Sequence, residues 1–77
     1  MITLFSKGGC PNCVLAKTLL DEEGIDYEVK DVETDFEAMQ QLSNMGLRSL
    51  PQVFKNGCLV ANGYQGLLRL WREDNLK

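Results

Sequence analysis

Apolar positions in the first third of the chain follow a strand-like pattern and then a helix-like one. Residues 2–5 are a short apolar, β-prone run that stops at residues 6–9, where two glycines break regular structure. Pro11 suits a first helical position, and Gly24 suits a helix end. The positions that share one stripe of the predicted helix are Val14, Leu15, Thr18 and Leu19. The pattern therefore predicts a strand, a loop and an amphipathic helix.

A second strand and a second helix are predicted next. The apolar positions within residues 25–32 are Tyr27, Val29 and Val32. This strand should run parallel to the first, because a whole helix separates the two. Thr34 or Asp35 can cap a helix over residues 36–45, which Gly46 stops. The residues that repeat at helical spacing are Phe36, Met39, Leu42 and Met45.

The last third of the chain contains a hairpin signal and a closing helix. Asn56-Gly57 is the strongest short hairpin signal, and it joins a strand at residues 52–55 to a strand at residues 58–61. The pairs expected in a tight hairpin are Phe54 with Leu59 and Val53 with Val60. Residues 62–66 form a second turn cluster. The tail then fits a helix whose apolar residues are Leu67, Leu68, Leu70 and Trp71.

The predicted order of elements is β-α-β-α-β-β-α, which is an α/β arrangement. Two helical crossovers and one hairpin imply a four-stranded mixed sheet flanked by three helices. With 77 residues and no linker, repeat or low-complexity segment, the chain should form a single domain over residues 1–77. We expect Trp71, Met39 and Met45 to belong to its core.

Composition and charge exclude several classes of partner. Apolar residues make up 44% of the chain and charged residues 25%, which excludes a disordered chain. The net charge is −3, and the eight lysines and arginines form no basic cluster, so we expect no nucleic-acid partner. No apolar run approaches the roughly 20 residues that cross a bilayer, and residues 1–6 are too short for a signal peptide. We therefore expect a cytoplasmic monomer without membrane contact.

The cysteines are the candidate chemistry of this chain. It has three cysteines and no histidine, so Cys–His pairing and imidazole metal ligands are excluded. Cys10 and Cys13 are three residues apart, and a disulfide that closes so short a loop contributes only about 2 kcal/mol to stability. A Cys-x-x-Cys near a β-α-β pattern is typical of redox proteins. The spacing therefore indicates a reversible dithiol rather than a structural cross-link.

The two neighbouring cysteines should have different roles. Cys10 lies where unpaired backbone N–H groups and the positive end of the helix dipole stabilise a thiolate, so we predict that it is the nucleophile. Cys13, one turn inside the helix, can attack Cys10 only after a mixed disulfide has formed, which makes it the resolving thiol. The alternative, two inert core cysteines, is disfavoured because Gly8-Gly9 and Pro11 mark a surface loop that enters a helix.

The third cysteine is predicted to have no catalytic role. Cys58 should be a small buried residue opposite Lys55, beside the hairpin turn and well away from Cys10. That separation also disfavours a zinc site, since structural zinc uses four ligands and the chain offers three thiols. We therefore expect no metal ligand in this chain.

Three segments together resemble the glutaredoxin family. They are FSKGGCPNC at residues 5–13, RSLPQVF at residues 48–54, and Gly63-Tyr64. Leu50-Pro51, residues 62–64 and the short length also resemble the NrdH-redoxin branch, glutaredoxin-like proteins that serve ribonucleotide reductase. The resemblance implies a thioredoxin-like fold and a thiol–disulfide oxidoreductase that reduces protein disulfides or glutathione mixed disulfides. It also implies glutathione as a co-substrate and no tightly bound cofactor.

The resemblance assigns binding residues around the two cysteines. Pro51 would be the family's cis-proline facing Cys10 and Cys13, and the Leu50 backbone would pair with an extended substrate. Lys7 would meet a carboxylate of glutathione and favour the Cys10 thiolate. The other expected binding residues are Pro11, Asn12, Gly63 and Tyr64. Without the family resemblance, several of these residues have simpler assignments. Lys7 would be a solvated loop residue, Leu50-Pro51 would form a turn, and Tyr64 would be a surface ring.

Two positions depart from the family pattern. Asn12 stands where glutaredoxins usually have an aromatic residue, and Gln65-Gly66 stand where they have an acidic pair. An aspartate there would pair with the γ-glutamyl ammonium of glutathione, and neither residue present replaces its charge. Two electron donors therefore stay open. One is glutathione, and the other is thioredoxin reductase, as in an NrdH-like redoxin that supplies ribonucleotide reductase.

A function of another class is a non-catalytic iron–sulfur carrier or a redox-sensing binding module. In the glutaredoxin family a cluster can be bridged between two chains by thiolates and glutathione. Cys13 and the missing acidic pair argue against such a cluster here. Visible absorbance of the pure protein would favour the carrier, whereas reduction of insulin disulfides would favour the enzyme.

Overall fold

The structure consists of one mixed sheet with helices on both faces. A computed structural model describes residues 2–47 and 49–73. The elements are β1 (Ile2–Ser6), α1 (Pro11–Glu22), β2 (Tyr27–Asp31), α2 (Phe36–Asn44), β3 (Gln52–Lys55), β4 (Cys58–Asn62) and α3 (Gly63–Arg72). The strand order β2-β1-β3-β4 confirms the predicted four-stranded α/β arrangement. In the part of the chain that the structure describes, no helix has the length and apolar character of a membrane span.

Strand β1 lies between β2 and β3 and pairs with them in opposite senses. It runs parallel to β2, as expected from the helical crossover between them. It runs antiparallel to β3, with Phe5 opposite Gln52. The end of β1 and the start of β3 therefore lie at the same end of the sheet. The loop that leaves β1, residues 7–10, meets the loop that enters β3, residues 49–51.

The hairpin between β3 and β4 follows only half of the predicted register. Phe54 pairs with Leu59 as expected, but Val53 pairs with Ala61, so the predicted Val53–Val60 pair is wrong. A β-bulge at this point places two residues of β4 opposite one residue of β3. The prediction assumed an uninterrupted period of two, which a bulge breaks. Ala61, only 4% exposed, therefore enters the core beside Val53 in place of Val60.

Two apolar clusters lie on opposite faces of the sheet, because neighbouring residues of a strand point to opposite faces. The cluster under α1 and α3 consists of Ile2, Leu4, Ala16, Leu20, Val53, Ala61 and Leu67. The cluster under α2 consists of Phe5, Ala38, Leu42 and Phe54. The ring centroids of Phe5 and Phe54 lie 5.0 Å apart. The sheet is thus covered on both faces, which leaves its ends for the loops.

Helix α1 buries a different stripe from the one predicted. Its buried residues are Cys13, Ala16 and Leu20, whereas Val14 and Leu15 are 59% and 46% exposed. Positions spaced three and four apart share one helix face, and the small Ala16 lets that face approach the sheet closely. The predicted stripe is therefore wrong for Val14, Leu15 and Thr18, which are exposed, whereas Leu19 is half-buried against the core.

Helix α2 turns only Ala38 and Leu42 fully into the core. Asp35 is its N-cap, and the Asp35 Oδ1 accepts a hydrogen bond from the Ala38 backbone N–H at 3.1 Å, so the second of the two predicted caps is used. Met39 and Met45 are each 48% exposed, so their predicted place in the core is wrong. The physical reason is that a helix lying on one face of a sheet buries a single stripe.

Trp71 also lies at the surface rather than in the core, where it was expected. Its side chain is 37% exposed, and its Nε1–H donates to Glu23 Oε1 at 2.8 Å. Glu23 is the C-cap of α1, so this contact joins the end of α3 to the end of α1. Trp71 lies at the surface because its indole is amphipathic: the apolar ring packs on the protein, while the N–H needs a polar partner.

Truncation of two leucines in α1 tests which face of the helix is buried. Leu20→Ala should lower the free energy of unfolding by about 2–5 kcal/mol, because Leu20 is fully buried and its loss leaves a cavity. Leu15→Ala is the matched control on the exposed face, and it should change that free energy by less than about 1 kcal/mol. Urea denaturation at neutral pH measures both values. Equal losses would contradict the packing described above.

Candidate active site

Cys10 occupies the N-cap position of α1, immediately before Pro11 in the first helical position. Its backbone is extended, with φ −98° and ψ 107°, and its Sγ accepts a hydrogen bond from the Cys13 backbone N–H at 3.3 Å. Gly9 precedes it with φ +73°, a left-handed conformation that glycine adopts without strain. The sulfur thus lies at one of the backbone donors that a helix start leaves unpaired.

Cys13 lies one turn behind Cys10 and is almost fully buried, with 1% of its surface exposed. Burial, together with the hydrogen bond and negative charge of Cys10, raises the pKa of the Cys13 thiol to about 11. Cys13 therefore keeps its proton at neutral pH. Both thiols are free in this structure, and Cys10 is the more exposed of the two.

The loop before β3 forms the wall opposite Cys10. The Leu50–Pro51 peptide bond is cis, and the Leu50 carbonyl oxygen lies 4.0 Å from Cys10 Sγ. The Pro51 carbonyl oxygen accepts a hydrogen bond from the Gly63 N–H at 2.8 Å, which ties this loop to the start of α3. The structure thus places the cis-proline segment beside the Cys10 sulfur.

A cleft of about 360 Å³ opens between the two loops. Its lining contains four residues of the predicted site, Lys7, Cys10, Pro11 and Leu50, together with Gly9 and Ser49. Ser49 was not predicted as a site residue, although its position two residues before the proline is a signal in the sequence. The remaining predicted residues, which do not line this cleft, are Asn12, Cys13, Pro51, Gly63 and Tyr64.

Those remaining residues have other surroundings. Asn12 is exposed on the first turn of α1, whereas the side chain of Pro51, at the end of the loop that enters β3, is buried. Tyr64 is half-buried and packs against the apolar cluster under α1 and α3, so it is not the surface ring that was its alternative assignment. Gly63 contributes its N–H to Pro51 rather than to the cleft.

A buried amide network holds the cis-proline loop. Gln52 has no exposed surface, and its Nε2 donates to the Ser49 carbonyl oxygen and to Asn62 Oδ1, each at 2.8 Å. The Ser49 hydroxyl also donates to Asn62 Oδ1, at 3.2 Å. These contacts fix residues on both sides of Leu50-Pro51. The sequence signal for them was a polar residue on the same strand face as the buried Phe54.

A second contact holds the loop that carries Cys10. The Gly8 backbone N–H donates to Glu33 Oε1 at 2.8 Å, which connects this loop to the segment between β2 and α2. The approach is close enough that a Cβ atom at Gly8 would lie 3.3 Å from the same oxygen. Glycine at this position therefore lets the carboxylate reach the backbone. Sequence reasoning missed Glu33 because the contact spans 25 residues.

Cys58 lies outside this cleft and is exposed, so its predicted burial is wrong. It pairs with Lys55 across the hairpin turn, as expected, but it lies at the turn end of the edge strand β4, where the first two residues of the strand are exposed. Among residues 2–47 and 49–73, no group of three or more His, Cys, Asp or Glu side chains is arranged to hold a metal ion.

The raised pKa of Cys13 predicts a loss of stability at high pH. A free thiol ionises near 9.0 and Cys13 only near 11, so the native protein binds this proton more tightly than the unfolded chain. The resulting stability is complete below pH 9.0 and is lost as the pH rises to about 11. The free-energy difference between the reduced wild type and Cys13→Ala should therefore shrink by about 2 kcal/mol from pH 8 to pH 11. Urea denaturation in a reducing agent measures it, and a constant difference would contradict the raised pKa.

Comparisons with known proteins agree with this geometry. The Glutaredoxin family model matches residues 2–60. A glutaredoxin of Neisseria meningitidis is 36% identical over 80 residues, covering 97% of this chain and 89% of the relative. The glutaredoxin-like protein NrdH of Lactococcus lactis is 29% identical over 56 residues, covering 73% of this chain and 78% of that protein.

A similar structure carries a ligand. The crystal structure of a buckwheat glutaredoxin–glutathione complex superimposes with a TM-score of 0.82 at 28% identity, covering 97% of this chain and 71% of that one. The family model and the relatives, together with the fold and the Cys10 cleft, show that this chain belongs to the glutaredoxin family, a class of thiol–disulfide oxidoreductases with a thioredoxin-like fold.

Proposed function

We propose that this chain reduces disulfides through Cys10 and Cys13, with Cys10 as the attacking thiolate and Cys13 as the resolving thiol. One observation carries the proposal: Cys10 Sγ lines an open cleft at the start of α1, while Cys13 is buried one turn behind it. The two sulfurs therefore differ in access, as two successive steps require.

The first step is attack on a substrate disulfide. The Cys10 thiolate attacks one substrate sulfur, a new S–S bond forms, and the bond between the two substrate sulfurs breaks. The departing sulfur keeps the electron pair of the broken bond and takes a proton from water. The Cys13 backbone N–H and the positive end of α1 stabilise the thiolate before attack.

The second step closes the Cys10–Cys13 disulfide. Part of the raised pKa of Cys13 comes from the negative charge of Cys10 and the hydrogen bond between the two sulfurs. Once Cys10 is in a mixed disulfide, its charge is gone, so the Cys13 thiol loses its proton more readily. The Cys13 thiolate then attacks Cys10 Sγ, and the second substrate thiol leaves. The substrate has gained two electrons and two protons, and the protein carries a disulfide.

The substrate is positioned by the cis-proline loop and by Lys7. The Leu50 backbone lies beside Cys10 Sγ, where an extended polypeptide or glutathione can pair with it as an added strand. Lys7 lines the same cleft and supplies a positive charge for a carboxylate. Pro11 and Asn12 flank the sulfur on the first turn of α1. These contacts suit a protein disulfide or a glutathione mixed disulfide.

The electron donor is either glutathione or thioredoxin reductase. Gln65 and Gly66 near the start of α3 bring no carboxylate to bind the ammonium of glutathione. The similarity to an NrdH protein supports the second donor, with ribonucleotide reductase as the protein that receives the electrons. We propose glutathione as a co-substrate of low affinity and thioredoxin reductase as the alternative donor.

Three cysteine variants test the assigned roles. Cys10→Ser should abolish insulin disulfide reduction, because the attacking sulfur is lost. Cys13→Ser should lose turnover and accumulate a mixed disulfide on Cys10, which mass spectrometry detects. Cys58→Ser is the control, and it should keep turnover within about twofold because its side chain lies outside the cleft.

A faster reaction of iodoacetamide with Cys13 than with Cys10 in the reduced protein at pH 7 would contradict the assignment. So would a tenfold loss of turnover in a folded Cys58→Ser variant.

Introducing a negative charge at Gly66 tests whether the missing carboxylate makes glutathione a weak electron donor. A Cβ atom at Gly66 would lie 3.6 Å from the nearest atom of Ala61, so a side chain fits there. Gly66→Asp should raise glutathione-dependent kcat/KM roughly tenfold to a hundredfold, because a charge-assisted hydrogen bond contributes about 1.5–3 kcal/mol. Gly66→Asn, with the same size and no charge, should leave it near the wild-type value. NADPH with thioredoxin reductase should reduce the wild-type Cys10–Cys13 disulfide.

Three results together would refute the proposal that glutathione is a weak donor and thioredoxin reductase the alternative one. They are fast turnover of the wild type with glutathione, no gain in kcat/KM from Gly66→Asp, and no reduction of the wild type by thioredoxin reductase.

A further inference from the structure

A second cavity, of about 250 Å³, lies between α2 and the loop that leads to the cis-proline. Its lining includes Val32, Met39, Leu42, Ser43, Leu47 and Leu50. Its floor is formed by Leu42, which is 5% exposed, while Met39 at its rim is 48% exposed. The cavity is therefore open to solvent at one side and apolar at its base.

The second cavity and the cysteine cleft share one lining residue. Leu50 lines both, and its carbonyl oxygen lies 4.0 Å from Cys10 Sγ. A polypeptide that pairs with the Leu50 backbone therefore runs along the mouth of the second cavity. Side chains of an extended strand alternate, so one of those flanking the substrate cysteine points toward the protein surface there.

The chemistry of the lining selects an apolar occupant. Among the lining residues that the structure describes, Ser43 brings the one polar side chain, and none of the others is charged. Met39 is unbranched and adaptable, so its side chain can adjust to groups of different shape. Glutathione has no apolar side chain besides its cysteine, and its charged ends gain nothing from this lining. We therefore do not expect glutathione to fill the cavity.

We infer that this cavity is a substrate subsite that accepts an apolar side chain close to the reactive cysteine of a disulfide-bonded polypeptide. The inference rests on the proposed function, since it requires Cys10 to attack that disulfide. It names the preferred substrate class as proteins whose reactive cysteine has an apolar neighbour. Leu50 then has two roles: its backbone pairs with the substrate strand, and its side chain forms part of the wall of the subsite.

A set of short peptides tests the subsite. Each peptide has one cysteine in a serine- and glycine-containing chain, as a mixed disulfide with 2-mercaptoethanol, and a single leucine is moved through the three positions on either side of the cysteine. The fully reduced protein supplies both electrons, so no other donor is needed. Chromatography follows release of the peptide thiol. At one or two positions the leucine should raise the second-order rate constant about tenfold over the leucine-free parent.

Two variants locate the preference. Ser43→Phe fills the cavity, so it should bring the rate constant for the preferred peptide down to near that of the parent peptide. Met39→Gln, a change at the exposed rim with little risk to folding, should reduce the preference in the same direction. Gln40→Phe adds the same bulk at an exposed position of α2 outside the lining, and it should keep the preference. Thermal unfolding confirms that each variant is folded.

The possible failures are distinguishable. Equal rate constants for all peptides with the wild type would overturn the subsite while leaving disulfide reduction in place. A leucine preference that survives in folded Ser43→Phe and Met39→Gln would overturn its location. No release of thiol from any peptide, together with no reduction of insulin, would overturn the proposed function itself.

Discussion

The hydrogen bond from the Cys13 backbone N–H to Cys10 Sγ is the interaction on which the rest of the site depends. A helix start leaves backbone donors unpaired, and here a sulfur takes the place of the usual oxygen cap. The same contact orients Cys10 toward the cleft and leaves Cys13 buried behind it. Gly9 before the cap and Pro11 after it give the backbone the conformation that this arrangement needs.

The sheet fixes the distance between the two walls of the cleft. β1 and β3 are antiparallel neighbours, so the loop after β1 and the loop before β3 leave the same end of the sheet. Each loop is then held by a polar contact from a distant segment. The carboxylate of Glu33 binds the backbone of Gly8, and the buried amide of Gln52 binds Ser49. The Cys10 loop and the cis-proline loop are thus each held in place by a hydrogen bond to another segment of the fold.

The sequence was sufficient to predict the order of elements, the parallel crossover and the place of Cys10 at a helix start. These features depend on glycine, on proline and on apolar periodicity, which determine local structure. The sequence was insufficient where tertiary packing decides. The buried face of α1 depends on how closely Ala16 approaches the sheet, and hydrophobicity alone favoured the bulkier Val14. The bulge beside Val53 arises from the pairing of β3 with β4, so no local pattern reveals it, and the sequence signal for the Gln52 network was a single polar residue on a buried strand face.

The central claim is that Cys10 and Cys13 together pass one electron pair to a disulfide. Trypsin cleavage after Lys7 and Lys17 places both cysteines in one peptide, residues 8–17, and Cys58 in another. The most direct measurement is mass spectrometry of these peptides after the reduced protein has reacted with one equivalent of hydroxyethyl disulfide and free thiols have been alkylated. The account predicts that peptide 8–17 has lost two hydrogen atoms and takes no label, whereas Cys58 is alkylated. A labelled Cys13, or a disulfide that includes Cys58, would contradict it.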